Sequence, residues 1–316
     1  MRAALRLLVA FGTFSLALAA VLAPRVLGDE PPQLRLLAGE AGGTYHALAR
    51  AIAEMPQDRL RFDVVSTDGS LGNLIMTSIG RADLCMAQAD ALIFLSDQPE
   101  YEAAMKHLVT VLPLHDEEIH VVVNQDSSVR RLADLKGKRV NIGIGASGSS
   151  VTSMVLLDIL GIADETDTVQ HGYDEAVADL VGGRLDAMIV TGGAPLKFLA
   201  RLGPEKGTKL RLLDLDRKTV QKLTKDGPYW EAEIPAGAYR WQKQAVRTVS
   251  TLCLLLAHDR TPADRVYDAA KLILANAPRM VKKHRKWREV SKKSALELLR
   301  SGDLPFHPGA KRALEE

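Results

Sequence analysis

The chain has 316 residues, with 41 Lys+Arg against 39 Asp+Glu, a formal net charge of +2, and 47% hydrophobic residues. That balance, with no extended basic face, excludes a nucleic-acid binder, and the length suits two domains of ordinary size. Only two cysteines occur, Cys85 and Cys253, each inside an apolar run; they read as buried thiols, lack the CxxC spacing of a zinc site, and leave a disulfide open only because export permits one.

Arg2 and Arg6 precede an apolar run over residues 7–22, the pattern of a secretory leader. Cleavage is expected after Ala17-Leu18-Ala19 or after Val26-Leu27-Gly28, making residues 1–28 a signal peptide and the mature product periplasmic; an uncleaved anchor is the alternative. Arg2, Arg6 and Arg25 are the only charges before Asp29, so removing three from 41 leaves 38 Lys+Arg against 39 Asp+Glu. The mature chain is therefore close to neutral.

Strand-like and helix-like patterns then alternate. Strands are expected at 34–38, 62–66 and 83–87, with helices at 44–54 and 69–79. Strands at 108–114 and 119–123 flank an acidic stretch, Asp116-Glu117-Glu118, which reads as a solvated turn. A short helix at 132–135 and a strand at 139–143 precede a helix at 149–160, a strand at 168–171 and a helix at 174–182. A strand at 187–190, a helix at 194–202, strands at 210–215 and 248–257, and three helical segments from 263 onward complete the chain. This β-α-β order predicts an α/β fold with largely parallel sheets. The expected division is lobe 1 over 29–115, lobe 2 over 116–235, and a return to lobe 1 over 236–316. The basic run Lys282-Lys283-His284-Arg285-Lys286 reads as a solvated helix face.

Four strand-to-helix junctions are rich in small polar residues. They are 39–45, 66–73, 143–150 and 191–195, the last with Pro195 suited to a first helical turn. Helix N-termini present free N–H groups, so facing sets of them make a pocket for an anion without a formal cation. The ligand candidates on these loops and the nearby strand end are Gly43, Thr44, Tyr45, Thr67, Ser70, Asn73, Gln88, Asp90, Ser147, Ser149, Ser150, Gly192, Gly193 and Pro195. No GxGxxG is present, and His115 and His120 are spaced for neither one helix face nor one strand face, so no cofactor or metal is expected.

The string Ala38-Gly39-Glu40-Ala41-Gly42-Gly43-Thr44-Tyr45 resembles the opening motif of the TAXI family, the solute receptors of one branch of TRAP transporters. Matching stretches follow in order: Ser66-Thr67-Asp68-Gly69-Ser70, Arg81-Ala82-Asp83, Leu132-Ala133-Asp134-Leu135-Lys136-Gly137-Lys138, Gly192-Gly193-Ala194-Pro195, Ile234-Pro235-Ala236-Gly237-Ala238-Tyr239 and Phe306-His307-Pro308-Gly309-Ala310. The resemblance implies a two-lobe periplasmic-binding-protein fold of type II with a ligand cleft between lobes, no catalysis, a monomer, a TRAP membrane subunit as partner, and a glutamate-like or dicarboxylate solute. Departures cluster at the expected pocket: Ala89 within Gln88-Ala89-Asp90 where the family often has Ser, His46 for the second aromatic, and Leu71-Gly72-Asn73 for Val-Glu-Asn. The alternatives are a binding protein of an ABC importer, and a hydrolase using Ser147 or Ser149, although Gly145-Ala146-Ser147-Gly148-Ser149 lacks the final Gly of GxSxG.

Overall fold

A computed structural model describes residues 31–56, 59–203, 205 and 209–316; the expected leader and its cleavage sites lie outside the described residues. Ten strands form one sheet: β1 Gln33–Leu37, β2 Arg61–Val65, β3 Leu84–Gln88, β4 Leu108–Asn124, β5 Arg139–Asn141, β6 Asp167–Val169, β7 Ala187–Gly192, β8 Leu210–Leu212, β9 Trp230–Ile234 and β10 Val246–His258. The helices of eight residues or more are α1 Thr44–Ala53, α2 Ser70–Ser78, α3 Ala89–Ser96, α4 Gly148–Leu160, α5 Tyr173–Val181, α6 Arg217–Asp226, α7 Ala263–Met280, α8 Lys292–Ser301 and α9 Pro308–Glu315.

The strand order is β2-β1-β3-β10-β4-β7-β5-β6, with β8 on β4 and β9 on β10. Parallel pairs occupy both flanks, β1 with β2 and β3, and β5 with β6 and β7. The two long strands β4 and β10 run antiparallel through the middle and join the halves. Burial follows the same division. One pair of apolar cores gathers residues from β1–β3, the first part of β4, β10 and the C-terminal helices. A second pair gathers the end of β4, β5, β7, α4, α5 and neighbouring segments. Near-continuous apolar composition suits β10, which is buried along almost its whole length.

The acidic stretch 116–118 is not a turn. It lies within the single 17-residue strand β4, where Glu117 and Glu118 are buried. Each acid finds a partner that a sequence reading cannot supply. Glu118 receives the Lys286 ammonium at 2.7 Å and the Ala194 N–H at 2.8 Å. Asp116 accepts the Trp230 indole N–H at 3.1 Å. Glu117 lies against Tyr45 and Cys253, and burial pushes its carboxyl up to about 8, into the neutral form at pH 7. Pro113 is tolerated in this central strand because a register shift against β10 falls beside it.

Two further expectations are corrected. The basic run keeps Lys282, Lys283 and Arg285 exposed, but it ends in a short 3-10 turn, Arg285–Arg288, rather than on a helix face, and there Lys286 is buried with Trp287. The helix expected at 194–202 shortens to Lys197–Ala200, leaving Pro195 ahead of it, because the Ala194 and Leu196 N–H groups are taken by Glu118 and the Tyr239 hydroxyl. Strand β9 and helices α3 and α6 fall outside the expected elements, although α6 is amphipathic and its cap Asp216 accepts the Thr219 N–H. Cys85 and Cys253 are free and buried. Among the described residues no helix is long and apolar enough to cross a membrane.

Candidate ligand-binding cleft

Helices α1, α2, α4 and α5 begin around one cavity. Its volume is about 40 Å³. The caps of α1, α2 and α5 are Gly43, Gly69 and Gly172, none with a side chain bonded to the first turn. Of their leading N–H groups, Tyr173 of α5 already donates to the Glu40 carboxyl and Leu71 and Gly72 of α2 to the Ala146 carbonyl, which leaves the α1 terminus as the one without a side-chain cap or a cross-cleft acceptor. Gly69 needs to be glycine: its φ of +121° is outside the range of other residues, and its Cα faces the Ser147 backbone across the cleft. Helix α4 differs, since Ser147 caps it by accepting the Ser150 N–H at 3.1 Å.

Of the fourteen sequence candidates, the cavity is lined by Gly43, Thr44, Tyr45, Ser70, Gln88, Ser147, Ser149 and Gly192. Thr67, Asn73, Asp90, Ser150, Gly193 and Pro195 are adjacent but do not line it. The other lining residues are Glu117, Tyr173 and Leu196, outside the recognised loops, and Gly39, Glu40, Asp68, Gly69, Gly148 and Thr191, which fall inside those loops but are not among the candidates. No Lys, Arg or His is among the lining residues described.

The residues behind the lining are fully engaged. Asp90 accepts the Gln88 amide at 3.0 Å, the Thr152 hydroxyl at 2.6 Å, the Tyr229 hydroxyl at 2.7 Å and the Ala91 N–H at 2.9 Å. Burial raises its pKa, and those four donors oppose the shift. The Gln88 amide also donates to Thr152 at 2.9 Å, joining the two halves of the sheet. Further bonds cross the cleft: Leu71 and Gly72 N–H to the Ala146 carbonyl at 3.0 and 3.2 Å, Thr44 hydroxyl to the Gly193 carbonyl at 3.3 Å, and Tyr173 N–H to Glu40 at 3.0 Å. The halves are thus in contact, and the remaining space is small.

Asn73 acts as a brace. Its amide donates to the Ala38 and Met86 carbonyls, and its oxygen accepts the Thr67 hydroxyl at 2.6 Å, which ties β1, β3 and the 66–69 loop together. Asn73→Ala removes three hydrogen bonds made by a fully buried side chain, each worth about 0.5–1.5 kcal/mol net, although Thr67 keeps its contacts to the Ala38 carbonyl and the Gly69 N–H. The expected result is a stability loss of at least about 2 kcal/mol in urea unfolding. A wild-type midpoint would remove this role.

Residues 36–316 match the NMT1-like family. The chain belongs to that family. This NMT1-like protein is also similar to a solved structure of a putative L-cystine ABC transporter from Listeria monocytogenes, at 15% identity over 81% of this chain and 95% of that one, with a TM-score of 0.52. The likeness shows a two-lobe periplasmic-binding-protein fold, with the cavity above lying between its halves. The NMT1-like chain further resembles the alkanesulfonate-binding protein SsuA from Xanthomonas axonopodis pv. citri bound to MOPS (16% identity, 91% and 85% covered, TM-score 0.48). A third similar structure is the periplasmic aliphatic sulphonate binding protein SsuA from Escherichia coli (16% identity, 86% and 79% covered, TM-score 0.45).

Proposed function

We propose that this chain is an exported solute receptor that closes its two lobes around a small anionic metabolite and delivers it to a membrane importer. One observation carries the reading: the N-termini of α1, α2 and α5 converge on one cavity, that of α1 without a side-chain cap, and no Lys or Arg is among the described lining residues. Each helix terminus stabilises an anion by about 0.3–1 kcal/mol, and up to about 2 when partly buried. The acids at the cavity do not all oppose this. Glu40 holds the Tyr173 N–H, and burial raises its pKa, while Glu117 is neutral at pH 7. A short carboxylate, glutamate-like or a dicarboxylate, suits the backbone donors and the serine and threonine hydroxyls.

The lobes of this reading are 29–115 with 236–316, and 116–235, with residues 1–28 as the leader; the two pairs of cores support this division, although Tyr239, Val246 and Val249 pack in the second pair. An ABC importer is the better supported partner, since the Listeria protein of the same fold is described as an ABC transporter. The TAXI-like motifs favour a TRAP subunit instead. A hydrolase reading lacks support: Ser149 is bonded to the Thr191 backbone, and no histidine is among the described lining residues.

Mass spectrometry of the solute that co-purifies with the exported protein, followed by calorimetry with a panel of amino acids, keto acids and dicarboxylates, tests the reading. An anion in the cleft is the expected outcome. Binding of neutral or cationic solutes alone would reject it.

A further inference from the structure

Beneath the cavity lies a group of side chains that solute binding by helix termini does not use. Strand alternation places His115 and Glu117 on one face of β4. Cys253 of β10 is the direct antiparallel partner of His115. All three are buried, and one donor atom from each lies within 4.8 Å of the other two.

Two atoms of this cluster, His115 Nε2 and Glu117 Oε1, are buried without a hydrogen-bond partner. Orphaned buried polar atoms are rare, and two in one cluster call for a common cause. His115 Nδ1 lies 3.0 Å from the Asp116 carbonyl, so Nδ1–H donates there and Nε2 keeps its lone pair. That is the tautomer and backing bond typical of a metal-bound imidazole.

We propose that His115, Glu117 and Cys253 hold a borderline-soft divalent metal ion, zinc in the first place, at the base of the cleft. Metal binding displaces the protons that burial otherwise keeps on Glu117 and Cys253, and the neutral imidazole, carboxylate and thiolate then balance the dication to zero net charge, which suits a site walled by apolar core. Tetrahedral zinc has bonds of about 2.0–2.3 Å to these donor types, so the cluster needs only a modest contraction. Glu117 also lines the solute cavity, and the fourth ligand is a water or a solute oxygen. The metal then supplies the positive charge that the cavity's side chains lack. The sequence expectation of no metal rested on spacing along the chain, whereas these donors meet across two strands.

Two other groups of potential ligands, His107/His258/Asp259 and His171/Glu175/Asp179, each include an exposed residue and already form internal ion pairs. They serve as controls. Full-length protein produced in an exporting host is stripped with chelator and titrated with Zn²⁺ against a chromophoric competitor, then with Co²⁺. One ion per chain is expected, with a near-ultraviolet thiolate-to-cobalt charge-transfer band. Cys253→Ser should abolish that band, and both it and His115→Gln should weaken zinc binding by more than the ~10–100-fold typical of outer-shell changes. His107→Gln should leave both readouts unchanged. X-ray absorption of the wild-type zinc protein needs no variant to fold, and should show one sulfur at about 2.3 Å with nitrogen or oxygen neighbours. Absence of stoichiometric binding, a cobalt spectrum without the thiolate band, or a zinc shell without sulfur overturns the proposal.

Discussion

Gly148→Ala is expected to weaken solute binding by about 10- to 100-fold while the protein remains folded. Gly148 opens α4 and faces the opposite side of the cleft. A Cβ there would stand 1.9 Å from Gln88 Oε1, 2.4 Å from its Cδ and 2.6 Å from the Ser70 hydroxyl. Gln88 cannot swing away cheaply, because its amide is held by both Asp90 and Thr152. Either that network breaks or the halves separate, and overpacking of this kind costs about 1–3 kcal/mol. The loss should appear in calorimetry with the co-purifying solute, alongside a larger radius of gyration for the solute-loaded variant in small-angle scattering. Gly72→Ala is the control, since its added Cβ would meet only Ala146 at 3.7 Å, an ordinary contact. If Gly148→Ala binds as tightly as Gly72→Ala, closure does not depend on this approach.

Lys286→Ala should cost about 3–5 kcal/mol of stability, a large share of the ~5–15 kcal/mol that holds a folded domain. The ammonium is 2.7 Å from Glu118 and 2.9 Å from Glu289. Burial depresses its pKa, but the two carboxylates outweigh burial and hold it above the usual lysine range. Glu118 feels burial first, which raises its pKa, with Lys286 and the Ala194 N–H opposing. Removing the lysine leaves that carboxyl buried without its cation. The double variant Lys286→Met with Glu118→Gln should recover most of the loss, because glutamine still accepts the Ala194 N–H and no charge remains buried. Urea unfolding of the four proteins in a double-mutant cycle measures this. An interaction energy below about 0.5 kcal/mol, the level of unconnected sites, would show that the pair is not coupled.

Both predictions concern residues whose importance is poorly marked in the sequence. Gly148 sits between Ser147 and Ser149, inside a loop recognised for its polar side chains, yet its own contribution is the absence of one. Lys286 belongs to a run of basic residues that, taken locally, belongs in water. Its partner Glu118 is 168 positions away. Charge patterns along a chain report what neighbours do to each other, and they default to solvent when the compensating charge is distant.

The sequence by itself determined the α/β alternation, because hydrophobic periodicity is set by which face of each element is buried. It also located the polar strand-to-helix loops, seven of whose candidates line the cavity, since small and capping residues are demanded by the local backbone. Only the tertiary structure decided which side chains those loops turn toward the cavity. Thr67, Asn73 and Asp90 are spent on internal braces, while Glu117 and Tyr173 reach the cavity from outside those loops. It likewise turned the acidic stretch from a solvated turn into the middle of β4. A buried carboxyl is stable only where another segment supplies a cation, a donor or a proton-retaining apolar wall, and that supply is fixed by how distant strands and helices pack.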